Sequence, residues 1–215
     1  MSKKVILFMV IGAGIFLSIA GVTFFLWQPP AELMQDIQLK AQYMNDRILA
    51  NFVYVFSVVL SCLLFIPVLI CLIIRGNKHY PNTIVAGGTI ILLGFLFDMI
   101  ANLYSLSFWG AAIPESIKGE QFGFMLFKSI ESAFLALDFC AVALVYGGAL
   151  IFGIGFRKEF KSTSIPMLLS VVFFFVAIIS GFYSRTFSIV FMVASFIVYS
   201  IGIIGTGLIA IKYES

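Results

Sequence analysis

TIVAGGTIILLGFLFDMIANLYSLSF, residues 83–108, is apolar for long enough to cross a bilayer and carries one carboxylate, Asp98. About 20 mostly apolar residues cross a hydrocarbon core of ~30 Å as a helix. A backbone in lipid has to satisfy its own hydrogen bonds, and an uninterrupted apolar run lacks the alternation of a barrel strand. The stretch therefore reads as a transmembrane helix. An aspartate at the centre of such a helix costs roughly 2.5–3.5 kcal/mol on insertion scales, so it marks a place where something other than lipid contact is required.

The same pattern recurs at 5–27, 50–74, 132–156, 164–183 and 187–211, and the span at 132–156 carries a second aspartate, Asp138. Composition agrees: 62% of the 215 residues are hydrophobic and 11% charged, against about 45–50% and about 25% in soluble domains. The mean hydropathy is +1.13. The expectation is an all-α polytopic integral membrane protein, a single transmembrane domain over 1–215. The 25 phenylalanines suit contact with membrane lipid, and a net charge of +3 is too small and too dispersed to argue for nucleic acid.

The first span could be read as a cleavable signal, since Lys3 and Lys4 precede it and Ser18-Ile19-Ala20 has small-x-small spacing. Its apolar run continues to Trp27, which favours an uncleaved anchor. Basic residues then set the orientation. With the N-terminus inside, the inner segments hold Lys3, Lys4, Arg75, Lys78, Arg157, Lys158, Lys161 and Lys212, and the outer ones hold Lys40, Arg47, Lys118, Lys128 and Arg185. Both termini are expected in the cytoplasm of a prokaryotic plasma membrane, with Trp27 and Trp109 at the outer interface.

Two outer connections look amphipathic. After Pro29-Pro30, which cannot continue a helix, Leu33, Ile37, Ala41, Met44 and Ile48 recur at helical spacing. That pattern suits a short helix lying on the outer leaflet. Pro114-Glu115-Ser116 opens a second such segment, running through Phe122, Phe124, Met125 and Phe127 into the fourth span. Either anchors the chain at the interface or covers an outward-facing cavity.

On the third span Gly87, Ile91, Gly94, Asp98, Ala101, Asn102 and Ser105 fall on one side, with Leu92, Phe95, Leu96 and Ile100 opposite, towards lipid. On the fourth, Lys128, Glu131, Leu135, Asp138, Ala141, Val145 and Gly148 descend one side, and Lys128 and Glu131 have the spacing to pair. Asp98, Asn102, Asp138, Glu131 and Lys128 are thus the candidate proton or cation site. The plain alternative is a buried acid that ties helices together by hydrogen bonds to Asn102, Ser105, Asn51 or a carbonyl. Small residues, Gly14, Ser18 and Gly21 in the first span, Gly87 and Gly94 in the third, and Gly202 and Gly205 in the sixth, permit close helix packing.

Other chemistry finds little to build on. His79 is the only histidine, in a short basic inner loop, and Cys62, Cys71 and Cys140 lie within spans without CxxC spacing. Neither a metal site, a cofactor site nor a disulfide framework is indicated, and no catalytic residues are assigned. Pro67 is interior to the second span and should kink it, whereas Pro166 falls in the first turn of the fifth.

A span containing Leu64-Phe65-Ile66-Pro67-Val68-Leu69, a short basic turn, then Gly87-Gly88 opening a span with an acidic residue resembles an uncharacterised family of small bacterial multi-span membrane proteins. The resemblance covers residues 57–103 and implies membership, with no particular activity. The leading expectation is a non-enzymatic accessory or assembly component that meets a partner membrane subunit, or a second copy, through its small-residue faces. The alternative is a proton- or cation-coupled transporter or channel using Asp98 and Asp138. A lipid-modifying enzyme comes third, for want of a nucleophile and base.

Overall fold

The computed structural model describes residues 1–27, 29–33, 35–76, 80 and 82–212, without the side chains of Phe25, Ala31, Arg185 and Thr186. His79 and Lys78, read above as loop residues, lie outside the described residues, as does the Arg185 side chain. The described chain is helical and contains no strand. Eight α-helices follow in order: α1 (Lys3–Trp27), α2 (Ile37–Asn45), α3 (Ile48–Gly76), α4 (Gly88–Ser107), α5 (Ile113–Ile117), α6 (Gln121–Gly155), α7 (Lys161–Gly181) and α8 (Arg185–Lys212). Wider π-type turns at Asn82–Gly87 and Phe108–Ala112 extend α4 at both ends.

Six helices are long and apolar enough to span a membrane: α1, α3, the extended α4, α6, α7 and α8. The main departure from the expected boundaries is α6, which begins at Gln121 rather than at 132. The amphipathic segment ahead of the fourth span is the first part of that helix. Its 35 residues make it roughly 50 Å long, so its early turns rise beyond a ~30 Å hydrocarbon core.

The spanning helices form a closed ring. α1 packs on α3, α3 on α4, α4 on α6, α6 on α7, α7 on α8, and α8 returns to α1, with α3 also touching α8 across the interior. The small residues make these approaches possible. A Cβ at Gly14 would lie 3.3 Å from the Ser200 carbonyl, and one at Gly21 would lie 2.9 Å from Phe196 Cβ. Ser18 Oγ lies 3.2 Å from Ser200 Oγ on the same seam. Gly202 abuts Met167 and Gly205 abuts Thr163, both on α7.

Two faces differ from their sequence reading. Phe95, expected to meet lipid, is 2% exposed and stands edge-on to Phe65 of α3 at 5.5 Å, because a helix inside a ring is covered on two sides. On α6, Phe134 is buried and Leu135 is 55% exposed, so the buried stripe runs one residue earlier there than expected. Pro166 also sits deeper than expected. α7 starts at Lys161 because the Phe160 carbonyl accepts from Thr163 and Ser164 N–H at 3.0 and 2.9 Å, which places the proline in the second turn.

α2 turns its apolar face onto the protein itself. Ala41 and Met44 are buried within the protein, where the helix packs on α5 and α6. Asp36 caps it by accepting from the Leu39 N–H at 3.0 Å, and Gln38 Nε2 donates to the Ile117 carbonyl at 2.9 Å. Gly119, at φ 79°, makes the left-handed turn from α5 into α6. The two connections thus form one cap at the end of the bundle opposite the termini.

Candidate intramembrane carboxyl site

The site begins with the close approach of α4 to α6. A Cβ on Gly94 would fall 2.8 Å from the Val145 backbone nitrogen and 3.1 Å from the Ala141 carbonyl, and one on Gly148 would fall 2.9 Å from the Gly87 carbonyl. Towards the cap, the same register brings Phe108 and Phe127 to 5.1 Å between ring centroids. Asp98 is one turn beyond Gly94, and Asp138 is one turn before Ala141 on the antiparallel partner. The register therefore sets the two carboxyls opposite each other, within range of each other's charge. Both side chains are half-buried.

Asn102, one turn from Asp98, is fully buried. Its Nδ2 donates to Asp98 Oδ1 at 2.7 Å and to the Asp98 carbonyl at 2.8 Å, while Ser105 Oγ donates to the Asn102 carbonyl at 2.6 Å. The Asn102 Oδ1 has no hydrogen-bond partner among the described residues. α3 contributes Tyr54, within electrostatic range of both aspartates, and Cys62, within that of Asp98. Asn51, also on α3, is buried with no partner for its amide among the described residues.

α6 also contributes Tyr146 and α8 contributes Tyr199, both in electrostatic range of Asp98. Tyr146 is committed elsewhere. Its hydroxyl is 2.6 Å from Ser195 Oγ, and Ser195 Oγ uses its one hydrogen on the Ser170 carbonyl at 2.8 Å. Tyr146 must therefore be the donor, and the relay joins α6, α8 and α7. The Tyr199 hydroxyl is buried without a partner among the described residues.

The remaining candidates lie apart. Glu131, two turns from Asp138 on α6, pairs with Lys40 of α2 rather than with Lys128, because the cap delivers a second lysine to its buried side while Lys128 is exposed. Along α6, Phe134 lies between Glu131 and Asp138, its ring 6.4 Å from that of Phe108. Lys40 is only 5% exposed, with its Nζ 5.5 Å above the Phe127 ring, so the cap's charge is turned inward. On the cap surface, the Glu115 carboxylate accepts a 2.7 Å hydrogen bond from Lys118 Nζ, and that bond together with its charge raises the Lys118 pKa above the ordinary lysine value.

Sequence reasoning passed over Lys40, Tyr54, Tyr146 and Tyr199. The signal for the tyrosines was available, since a hydroxyl inside an apolar span needs a partner. Among the described residues no three His, Cys, Asp or Glu side chains are grouped as metal ligands would be. No protein-family model, curated protein or solved structure matches this chain.

Proposed function

We propose that this integral membrane protein binds and exchanges a proton or small cation at the Asp98–Asp138 pair, as part of proton- or cation-coupled transport. One observation carries the reading over a helix tie: Asn102, buried and bonded to Asp98 through its Nδ2, has no partner for its Oδ1 among the described residues. Buried groups kept only for stability are normally paired. Flux of protons and of alkali cations in proteoliposomes tests it. Asp98→Asn and Asp138→Asn should fold and lose flux; flux retained in both, with a lowered melting temperature, would make the pair a structural tie.

An accessory or assembly role is the second reading, supported by the aromatic turn between α7 and α8, where Phe182 and Tyr183 are 84% and 87% exposed. Against it, Gly14, Ser18, Gly21, Gly87, Gly94, Gly202 and Gly205 all meet neighbouring helices or their connecting turns within the chain, leaving none of those faces for a partner. A stoichiometric partner subunit in native mass spectrometry would restore it. We also place both termini in the cytoplasm of a prokaryotic plasma membrane, since Arg157, Lys158 and Lys161 are exposed at the same end as the termini. Impermeant thiol labelling of Lys158→Cys only after cell lysis, and of Lys118→Cys in intact cells, would support that orientation.

A further inference from the structure

We infer that ordered water occupies the cap end of the interface between α1, α3 and α4, held by Trp27, Asn51 and Asn102, and leads past Tyr54 to Asp98. The hydration stands on the geometry of these side chains alone. Its use as a route to Asp98 rests on the carboxyl reading above.

Three side chains, each more than nine-tenths buried, carry the inference. Neither atom of the Asn51 amide has a hydrogen-bond partner among the described residues, and the same holds for Trp27 Nε1 and Asn102 Oδ1. A buried donor or acceptor left unsatisfied costs about 1–3 kcal/mol, so four such atoms in one region call for a partner. The want is local. Deeper on the same α1–α3 seam, Ser61 Oγ donates to the Ala13 carbonyl at 2.8 Å, and there the seam satisfies itself.

The residues form a ladder. The Trp27 and Tyr54 rings stand 6.0 Å apart, and Phe24 lies 6.2 Å from the first and 5.4 Å from the second. Asn51 is about one turn nearer the cap than Tyr54 on α3, and both are buried. Phe65 against Phe95 at 5.5 Å sets the register of α3 on α4. Tyr54 lies about three turns from Phe65 towards the cap, and Asn102 about two turns from Phe95 in the same direction, both on the faces those rings mark. Asn102 is therefore about one turn below Tyr54. Asp98 is one turn lower again, its Oδ1 accepting from Asn102 Nδ2 at 2.7 Å.

The chemistry selects water. Trp27 Nε1 and Asn51 Nδ2 only donate, whereas Asn51 Oδ1 and Asn102 Oδ1 only accept. A cation suits the oxygens and is opposed by the N–H groups; an anion suits the reverse. Water does both, and a buried water typically makes about three hydrogen bonds to polar groups that lack other partners. The mutual contact of the three rings leaves no room among them for an organic solute.

The test is X-ray radiolysis footprinting of the intact protein in proteoliposomes. Hydroxyl radicals form from water where it absorbs, so a buried ring is oxidised only where a water touches it. Oxidation is read by peptide mass, and each residue's rate is divided by its rate in the unfolded chain. On that scale Trp27 and Tyr54 should react several-fold faster than Phe65, and than Tyr146, whose ring is stacked on Phe174 at 4.2 Å. Asn51→Leu, close to asparagine in size, should slow both several-fold. Rates at Trp27 and Tyr54 no higher than at Phe65 and Tyr146 would overturn the inference, as would rates unchanged in a folded Asn51→Leu protein. If that variant does not fold, the comparison within the native protein decides. Fast oxidation without flux would keep the water and sink transport, whereas flux without fast oxidation would keep transport and sink this route.

Discussion

Lys40 on α2 and Glu131 on α6, 91 positions apart, form an ion pair that fastens the cap to the membrane bundle. The ammonium lies over Phe127, while the Glu131 side chain remains 30% exposed. The pair is therefore intermediate between a surface bridge, worth about 0–1 kcal/mol, and a fully buried one, where loss of one partner costs about 3–5 kcal/mol. Lys40→Ala should destabilise the protein by about 1–3 kcal/mol in detergent unfolding. Lys128→Ala should leave it unchanged. A double-mutant cycle with Glu131→Gln that shows no coupling would mean the contact has no energetic role.

The α4–α6 seam should be intolerant of a single methyl group. Gly94→Ala sets a Cβ against the Val145 backbone nitrogen, so the helices must part, at about 1–3 kcal/mol for overpacking. Gly147, on the same helix as Gly148, has nothing within 4 Å of its Cβ position. Gly147→Ala should be neutral or stabilise by up to about 1 kcal/mol through helix propensity. Melting temperatures of the two variants should move in different directions or, at the least, by clearly different amounts.

Tyr146→Phe removes one donor from the relay to Ser195 and Ser170. Hydrogen bonds between membrane helices average about 0.6 kcal/mol and reach about 1.7, so a loss in that range is expected. Ser195→Ala should cost more, since it leaves the buried Tyr146 hydroxyl without its acceptor. The order of the two losses, measured by equilibrium unfolding, checks the direction of the relay; the reverse order would contradict it.

Lys118 supplies the pH dependence outside the membrane. Its pKa is raised by its hydrogen bond to Glu115 and by that carboxylate's charge. The interaction is complete below the ordinary lysine pKa and is lost as pH climbs through the raised value, so it belongs to the alkaline range. Glu115→Gln should move the midpoint of Lys118 reductive methylation to lower pH. Because the lysine is exposed, global unfolding should not follow it. An unchanged midpoint would show that the two side chains do not interact in solution.

Much of this architecture was legible in the residues. The six spans follow from apolar run length alone, and the Gly87–Gly94–Asp98–Asn102 stripe from helical spacing, because both signals are local. What the residues could not disclose depends on neighbours distant in the chain. Phe95 has the same local pattern as lipid-facing Leu96 and is buried only because α3 brings Phe65 to it. Lys40 falls at a polar position of an amphipathic segment, and only the docking of α2 onto α6 gives it Glu131 as a partner. Asp98 and Asp138 could be assigned a similar depth from sequence, but their confrontation depends on which glycines of α4 and α6 meet.

The contact of α1 with α8 bears on how the chain is made. Ser18 meets Ser200 across 182 residues, and at about 5–20 residues per second the ribosome needs roughly 10–40 seconds to supply that partner. Until then the Gly14–Ser18–Gly21 groove waits in the bilayer, facing lipid or an insertion factor. Closure of the ring is thus a post-insertion event, and a nascent chain arrested before α8 would leave open the faces of both α1 and α7 that α8 covers.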